Sequence, residues 1–292
     1  MQNQSKQHTL WLLAAVSAPV AHFSGCGWFS ALLAAAAALP LILVPKHWEG
    51  MGKGMALGQA LWLGAVTGLL LKNSAVYWPS DNDLAVPAVL LALAAVTVEK
   101  SAPRIGAVLA FCMALLAIPV AVSGAAHLEP DWLKTTQTSW PAALSLVLLF
   151  PALPAAGEGK KGRQCLWIAL AGVCLALLVQ GTISPQVAAG AADPFYQTAR
   201  TLGYLEPVAA VGMTLGWYAM TVFLLDSGRR ITQSSGINAR VAYVLPMGTA
   251  AGILLLKWQP GAWLCAVLSA FLWILVPTLR KITNMKKDEK RC

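Results

Sequence analysis

Most charged residues of this chain sit in short breaks between continuous apolar runs, at roughly 8–24, 28–45, 55–77, 84–98, 104–124, 139–156, 164–183, 204–226, 240–256 and 259–279. The runs do not alternate in steps of two, so they predict helices rather than a closed barrel. Several are shorter than the ~20 residues that an upright span prefers. Hydrophobic residues make up 58% of the chain and charged residues 11%. Soluble domains carry about a quarter charged residues, and a chain this poor in charge cannot cover a globular surface with polar groups. In lipid, backbone groups must be satisfied inside helices or barrels. The reading is an all-α polytopic membrane protein of about ten transmembrane helices, forming a single transmembrane domain over 1–292.

The charges also assign sides. If the N-terminus lies in the cytoplasm, the inner connections hold Lys6, Lys46, Lys53, Lys100, Arg104, Lys160, Lys161, Arg163, Arg229, Arg230 and Arg240. A basic tail over 280–292 adds Arg280, Lys281, Lys286, Lys287, Lys290 and Arg291. Only Lys72, Lys134, Arg200 and Lys257 fall outside, beside the acidic residues Asp81, Asp83, Glu129, Asp131 and Asp193. That bias is what the positive-inside rule predicts for ten spans with both termini cytoplasmic. Trp28, Trp78, Trp132, Trp140 and Trp258 fall near outer ends and Trp48 and Trp167 near inner ends, where indoles favour the headgroup level. Lys6 and the stretch Ser17 to Ala21 loosely resemble a signal peptide. Pro19 inside the would-be cleavage site, and the next run following at once, favour a retained first span.

The formal net charge of +9 is explained by these loops, and no aromatic-interleaved basic patch points to a nucleic-acid partner. Cys26, Cys112, Cys165, Cys174, Cys265 and Cys292 form no CxxC or framework spacing, and His8, His22, His47 and His127 are scattered. No metal, no cofactor and no catalytic residue is expected, since no enzyme motif is present.

Ten spans divide into halves of five, about 1–124 and 125–279, and an odd number per half forces opposite orientations. The Gly-rich connection 45–54 and the long connection 184–203 fall at matching places. This predicts a five-plus-five inverted repeat, a transporter architecture whose site is often built on broken helices. In span one, Pro19 removes a helix hydrogen bond and Ser17, His22 and Ser24 offer polar groups nearby. Span six holds Pro141, Ser145, Pro151 and Pro154. Both spans are expected to be interrupted and to face each other, although a plain proline kink explains the same residues. His22 reads either as an intramembrane functional group or as an interfacial histidine. Thr214, Trp217, Tyr218 and Thr221 share one face of span eight, to line a cavity or to pack. Glu206 reads as a helix-start carboxylate. The expected ligand-binding residues are Ser17, Ala18, His22, Ser24, Asn73, Ser145, Trp217 and Tyr218, holding a small zwitterionic, amino-acid-like ligand mainly through backbone groups.

One stretch resembles a known family. Asp193-Pro194-Phe195-Tyr196-Gln197, Ala199-Arg200-Thr201-Leu202-Gly203, Leu205-Glu206-Pro207 and Gly216-Trp217 resemble the external loop and eighth helix of the endospore germination permeases. Leu148 to Pro154 is similar to their sixth helix. These proteins are the B subunits of nutrient germinant receptors, in the amino acid–polyamine–organocation superfamily. The likeness spans about 140–220. It departs in shorter length, in Tyr204 where an arginine often stands, and in a sixth span without a carboxylate. The resemblance implies a subunit that binds or transports a small nutrient, commonly an amino acid, in the spore inner membrane beside other receptor subunits. An amino-acid secondary transporter and a non-transporting structural subunit are the other readings.

Overall fold

The computed structural model describes residues 2–38, 52–78, 81–100, 102–134, 144–145, 161–256, 260–276 and 278–279. Among these the structure is all-helical. The helices are α1 (Gln2–His22), α2 (Trp28–Ala38), α3 (Lys53–Leu71), α4 (Ala85–Lys100), α5 (Ala102–Ala126) and α6 (Lys161–Ile183). They continue as α7 (Pro185–Gly190), α8 (Pro194–Thr201), α9 (Glu206–Ser234), α10 (Ala239–Leu255) and α11 (Ala262–Ala270). Every apolar run except 139–156 carries one of these helices. Span six lies outside the described residues, apart from Leu144 and Ser145.

Three segments are long and apolar enough to cross a membrane: Lys53–Tyr77, Val108–Ala126 and Glu206–Ser234. They differ in surroundings. The first and third are mostly enclosed by neighbouring helices, whereas the second is mostly uncovered. Val108, Phe111, Leu115, Ile118 and Val122 follow one another at three- and four-residue steps, all exposed, Phe111 and Val122 by 66% each. An outward helix face that is wholly apolar fits lipid rather than water.

At the centre stands α9, packed against α1, α3, α4, α5 and α10. From Ala219 to Gly228 every residue is buried; most are apolar, as a helix enclosed on all sides requires, and the buried Asp226 is paired with Arg229 and Arg230 at 2.8 and 2.7 Å. Small residues bring the backbones together. A Cβ on Gly64 would stand 2.3 Å from the carbonyl oxygen of Pro246, and one on Gly68 2.7 Å from that of Ala250. These are the α3–α10 contacts expected of small residues.

Span one departs from its expected break. α1 runs through Pro19 without interruption and tightens to a 3-10 turn only at Phe23–Cys26. The backbone then turns at Gly27, whose φ is 84°. Membrane helices absorb a proline when neighbours take up the freed groups, and here the glycines end the helix. The 184–203 connection is not a plain loop. Pro185 and Pro194 stand at helix starts, and the Asp193 carboxylate caps α8 by accepting from the Tyr196 N–H at 2.8 Å.

Candidate functional site

Two arrangements meet along α1. The first is a cavity of about 320 Å³ between α1, α5, α6, α8 and α9. Leu13, Ser17, Ala21, Met113, Phe195 and Met213 are among its walls. Its polar content is small. The Ser17 hydroxyl donates to the Ala14 carbonyl at 2.7 Å and lies 3.6 Å from the Met113 sulfur, so the helix already takes up its proton.

The second arrangement is polar, with a buried centre and an exposed outer end at Arg200 and Glu206. The Asp193 side chain is fully buried, and its two oxygens are divided among three donors. Oδ1 takes the Tyr196 N–H. Oδ2 lies 2.9 Å from His22 Nδ1 and also accepts the Tyr77 hydroxyl. Tyr77 in turn accepts Trp217 Nε1–H at 3.1 Å. The His22 and Trp217 rings meet edge-on at 5.6 Å, and Tyr77 and Tyr196 likewise at 5.3 Å. Tyr196 donates to Glu206 Oε1 at 2.7 Å, with Arg200 Nε 4.0 Å from the same carboxylate oxygen. Burial, and then the bond to Glu206, raise the Tyr196 phenol above its ordinary value. A buried carboxylate is tolerable only when its lone pairs are filled, and here α1, the turn after α3, and α8 fill them.

The chain brings these groups together from far apart. The 3-10 turn Lys72–Tyr77 at the end of α3 presents Tyr77, and α9 presents Trp217. The α7–α8 segment is pressed down onto the turn after α1. A Cβ on Gly25 would stand 2.3 Å from Pro194 Cγ and 2.5 Å from the Ala188 carbonyl oxygen. Only glycine admits that approach.

The expected site residues divide between the two arrangements and beyond them. Ser17 and Ala18 line the cavity. His22 and Trp217 belong to the polar network. Ser24 is buried, but its hydroxyl donates to Ala21 of the same helix at 2.6 Å. Asn73 is half-buried in the turn after α3, and Ser145 is half-buried in the two described residues of span six. The Tyr218 hydroxyl meets Thr97 Oγ1 on α4. The polar face of α9 therefore packs. Thr214 accepts from Trp78, Thr221 bonds to the Trp217 carbonyl, and none of the four lines the cavity. Ala18 has no free space on its α9 side, because a Cβ on Gly216 would stand 2.6 Å from that of Ala18.

Tyr77, Asp193, Tyr196 and Glu206 complete the network, and sequence reasoning had not gathered them into a site. The Asp193-Pro194 pair, a cap residue before a proline at a helix start, was the available signal for α8. Among the described residues, no group of three or more His, Cys, Asp or Glu could hold a metal ion. No protein-family model matches the chain, and no curated protein matches it either.

Proposed function

We propose that this chain is a ten-span integral membrane protein of the permease type that binds a small molecule in the cavity beside α1. The cavity carries the proposal. It lies between α1, α5, α6, α8 and α9, it includes Ser17 and Ala18, and Phe195 of α8 forms part of its wall. Apart from Ser17 the walls offer little polarity, so the fitting ligand has an apolar body. Within the nutrient class implied by the germination-permease resemblance, that is an amino acid with an apolar side chain.

The same resemblance supports a receptor-subunit role with other germination-receptor subunits as partners. The division of basic residues supports a cytoplasmic-membrane location with both termini inside and 184–203 outside. A second reading, an amino-acid secondary transporter, is favoured by the buried His22–Asp193 pair, because buried ionisable pairs mark proton pathways in transporters.

Thermal unfolding of the purified protein with a panel of amino acids tests the proposal. Ligand at about a hundred times its Kd adds about 2.7 kcal/mol of stability. Ala117 lines the cavity yet is itself exposed, so Ala117→Phe occupies the space without entering the core. Leucine, valine or phenylalanine should stabilise the wild type and not Ala117→Phe. Equal stabilisation of both places the site elsewhere. No stabilisation by any amino acid favours the structural-subunit reading.

A further inference from the structure

We propose that the cavity opens sideways into the bilayer and seats an acyl chain of an anionic phospholipid, whose headgroup rests at the basic ends of α1, α5 and α6. Such a seat does not depend on amino-acid binding. The cavity wall is closed on one side and open on the other. Ala18, Phe195 and Met213 are buried, whereas Leu10, Leu13, Ala114, Ala117 and Ala171 line the same cavity and are exposed. The exposed five belong to α1, α5 and α6, so the mouth lies between α5 and α6 with α1 as its floor.

Helix packing holds this mouth apart. α1 and α5 run side by side in the same direction, since a Cβ on Gly106 would meet the Trp11 ring at 2.6 Å and Ser17 lies against Met113 at 3.6 Å. α5 and α6 touch further along. There the Thr182 hydroxyl donates to the Gly124 carbonyl at 3.3 Å, and a Cβ on Gly124 would stand 3.1 Å from Leu178. Two turns before that contact, Ala117 and Ala171 line the cavity instead. The two helices therefore part towards their N-terminal ends. Ser17 is the one polar side chain in the lining, and its proton goes to the Ala14 carbonyl. Water finds too few partners in such a space, while a hydrocarbon chain gains contact with every wall.

Charge selects the lipid. α1, α5 and α6 all begin at the same, proposed cytoplasmic, end. Lys6 precedes Leu10 on α1, Arg104 precedes Ala110 on α5, and Lys161 and Arg163 precede Ala171 on α6. By helical rise these basic positions lie about 6–15 Å beyond the cavity wall. None of the three helices contains an acidic residue. Basic clusters between membrane helices at the cytoplasmic surface recognise anionic headgroups, and here the cluster stands at the near end of an apolar mouth.

Native mass spectrometry of the protein purified in detergent counts the lipid it retains. Offered phosphatidylglycerol and phosphatidylcholine with the same chains, the wild type should retain the anionic lipid about tenfold more. Lys6→Gln, Arg104→Gln and Arg163→Gln combined leave the cavity untouched and should abolish the preference. Ala114→Phe fills the mouth from an exposed position and should lose most of the retained phosphatidylglycerol. Equal retention of both lipids by the wild type overturns the proposal, even where a variant fails to fold. So does a preference that survives the three combined substitutions. Undiminished phosphatidylglycerol in Ala114→Phe overturns it too, because the lipid would then be held on the surface by charge alone. Stabilisation by an amino acid, read separately, should be the same in the combined variant as in the wild type. Lipid preference without amino-acid stabilisation keeps the lipid seat and discards the ligand reading, and the reverse result keeps the ligand and discards the lipid.

Discussion

Along α1 the surroundings change within a few residues. Around Leu13, Ser17 and Ala21 the helix borders an apolar cavity, where its one hydroxyl is turned back on its own backbone. At His22 the same helix enters a network in which nearly every polar atom has a partner on another element. The first region is roomy and weakly specified, since apolar walls fix a ligand's volume more than its orientation. The second is tight and strongly specified, since removing any partner leaves a buried polar group stranded. Stability is thus concentrated beside the cavity rather than in it, and substitutions should separate the two regions by the size of their effects.

The largest effect is expected from Asp193→Ala. It strands His22 Nδ1 and the Tyr77 hydroxyl, and it removes the cap of α8. One lost cap costs about 1 kcal/mol and each of the two stranded buried groups about 1–3 kcal/mol, so a loss of about 3–7 kcal/mol is expected. Thermal or denaturant unfolding in detergent checks it, and a loss below about 1 kcal/mol would remove the contrast between the regions. Next comes Gly216→Val, which strikes the wall the two regions share. The added Cβ meets that of Ala18 at 2.6 Å and the Met113 methyl at 2.8 Å, forcing α1 from α9. Overpacking of this kind costs about 1–3 kcal/mol. Amino-acid binding should weaken with it, because Ala18 and Met113 both line the cavity.

The two regions were not equally legible from sequence. Helical class and the apolar runs follow directly from composition and periodicity. Ser17 and Ala18 were singled out beside an expected break at Pro19; the helix is unbroken there, and both residues line the cavity. The network was half visible. His22 and Trp217 stood out as polar groups in apolar runs, but Trp217 binds Tyr77 at 140 residues' separation and His22 binds Asp193 at 171. Periodicity within a segment carries no information on such pairs. Pro19 misled for a related reason: whether a proline breaks a membrane helix depends on neighbours that a single run does not reveal. Tyr218 lies one position from Trp217, so the helix points it about 100° away, towards α4.

A smaller effect sharpens the outer boundary of the network. Tyr196→Phe removes the bond to Glu206 and leaves the ring against Tyr77. A loss of about 0.5–1 kcal/mol is expected at neutral pH. The folded phenol is raised above its ordinary value of 10.0, so the folded state holds the proton more tightly than the unfolded one. Its contribution is therefore complete below the ordinary tyrosine range and is lost as pH rises through the folded value. The wild type and Tyr196→Phe should differ at pH 8 and converge under strong alkali. A gap that widens with alkali would mean that the phenolate, not the phenol, is the favoured form.

The smallest effect belongs to Ser17→Ala, and it tests the apolar character of the cavity. The hydroxyl's proton goes to the Ala14 carbonyl three residues back, a local bond that adds little to a helix and competes weakly with its ladder. Removing it strands no donor, and the Ala14 carbonyl keeps its place in the helix. Alanine also favours the helix slightly over serine. Stability should change by less than about 0.5 kcal/mol in either direction. Binding of an apolar amino acid should likewise stay within about twofold of wild type, because the hydroxyl's proton is already used within the helix. Titration of the purified wild type and Ser17→Ala with the amino acid that stabilises best gives both affinities. A loss of tenfold or more would show that the hydroxyl turns from Ala14 to the ligand when one is bound. The cavity would then be a polar site in use, and the contrast between the two regions of α1 would hold only for the unliganded protein.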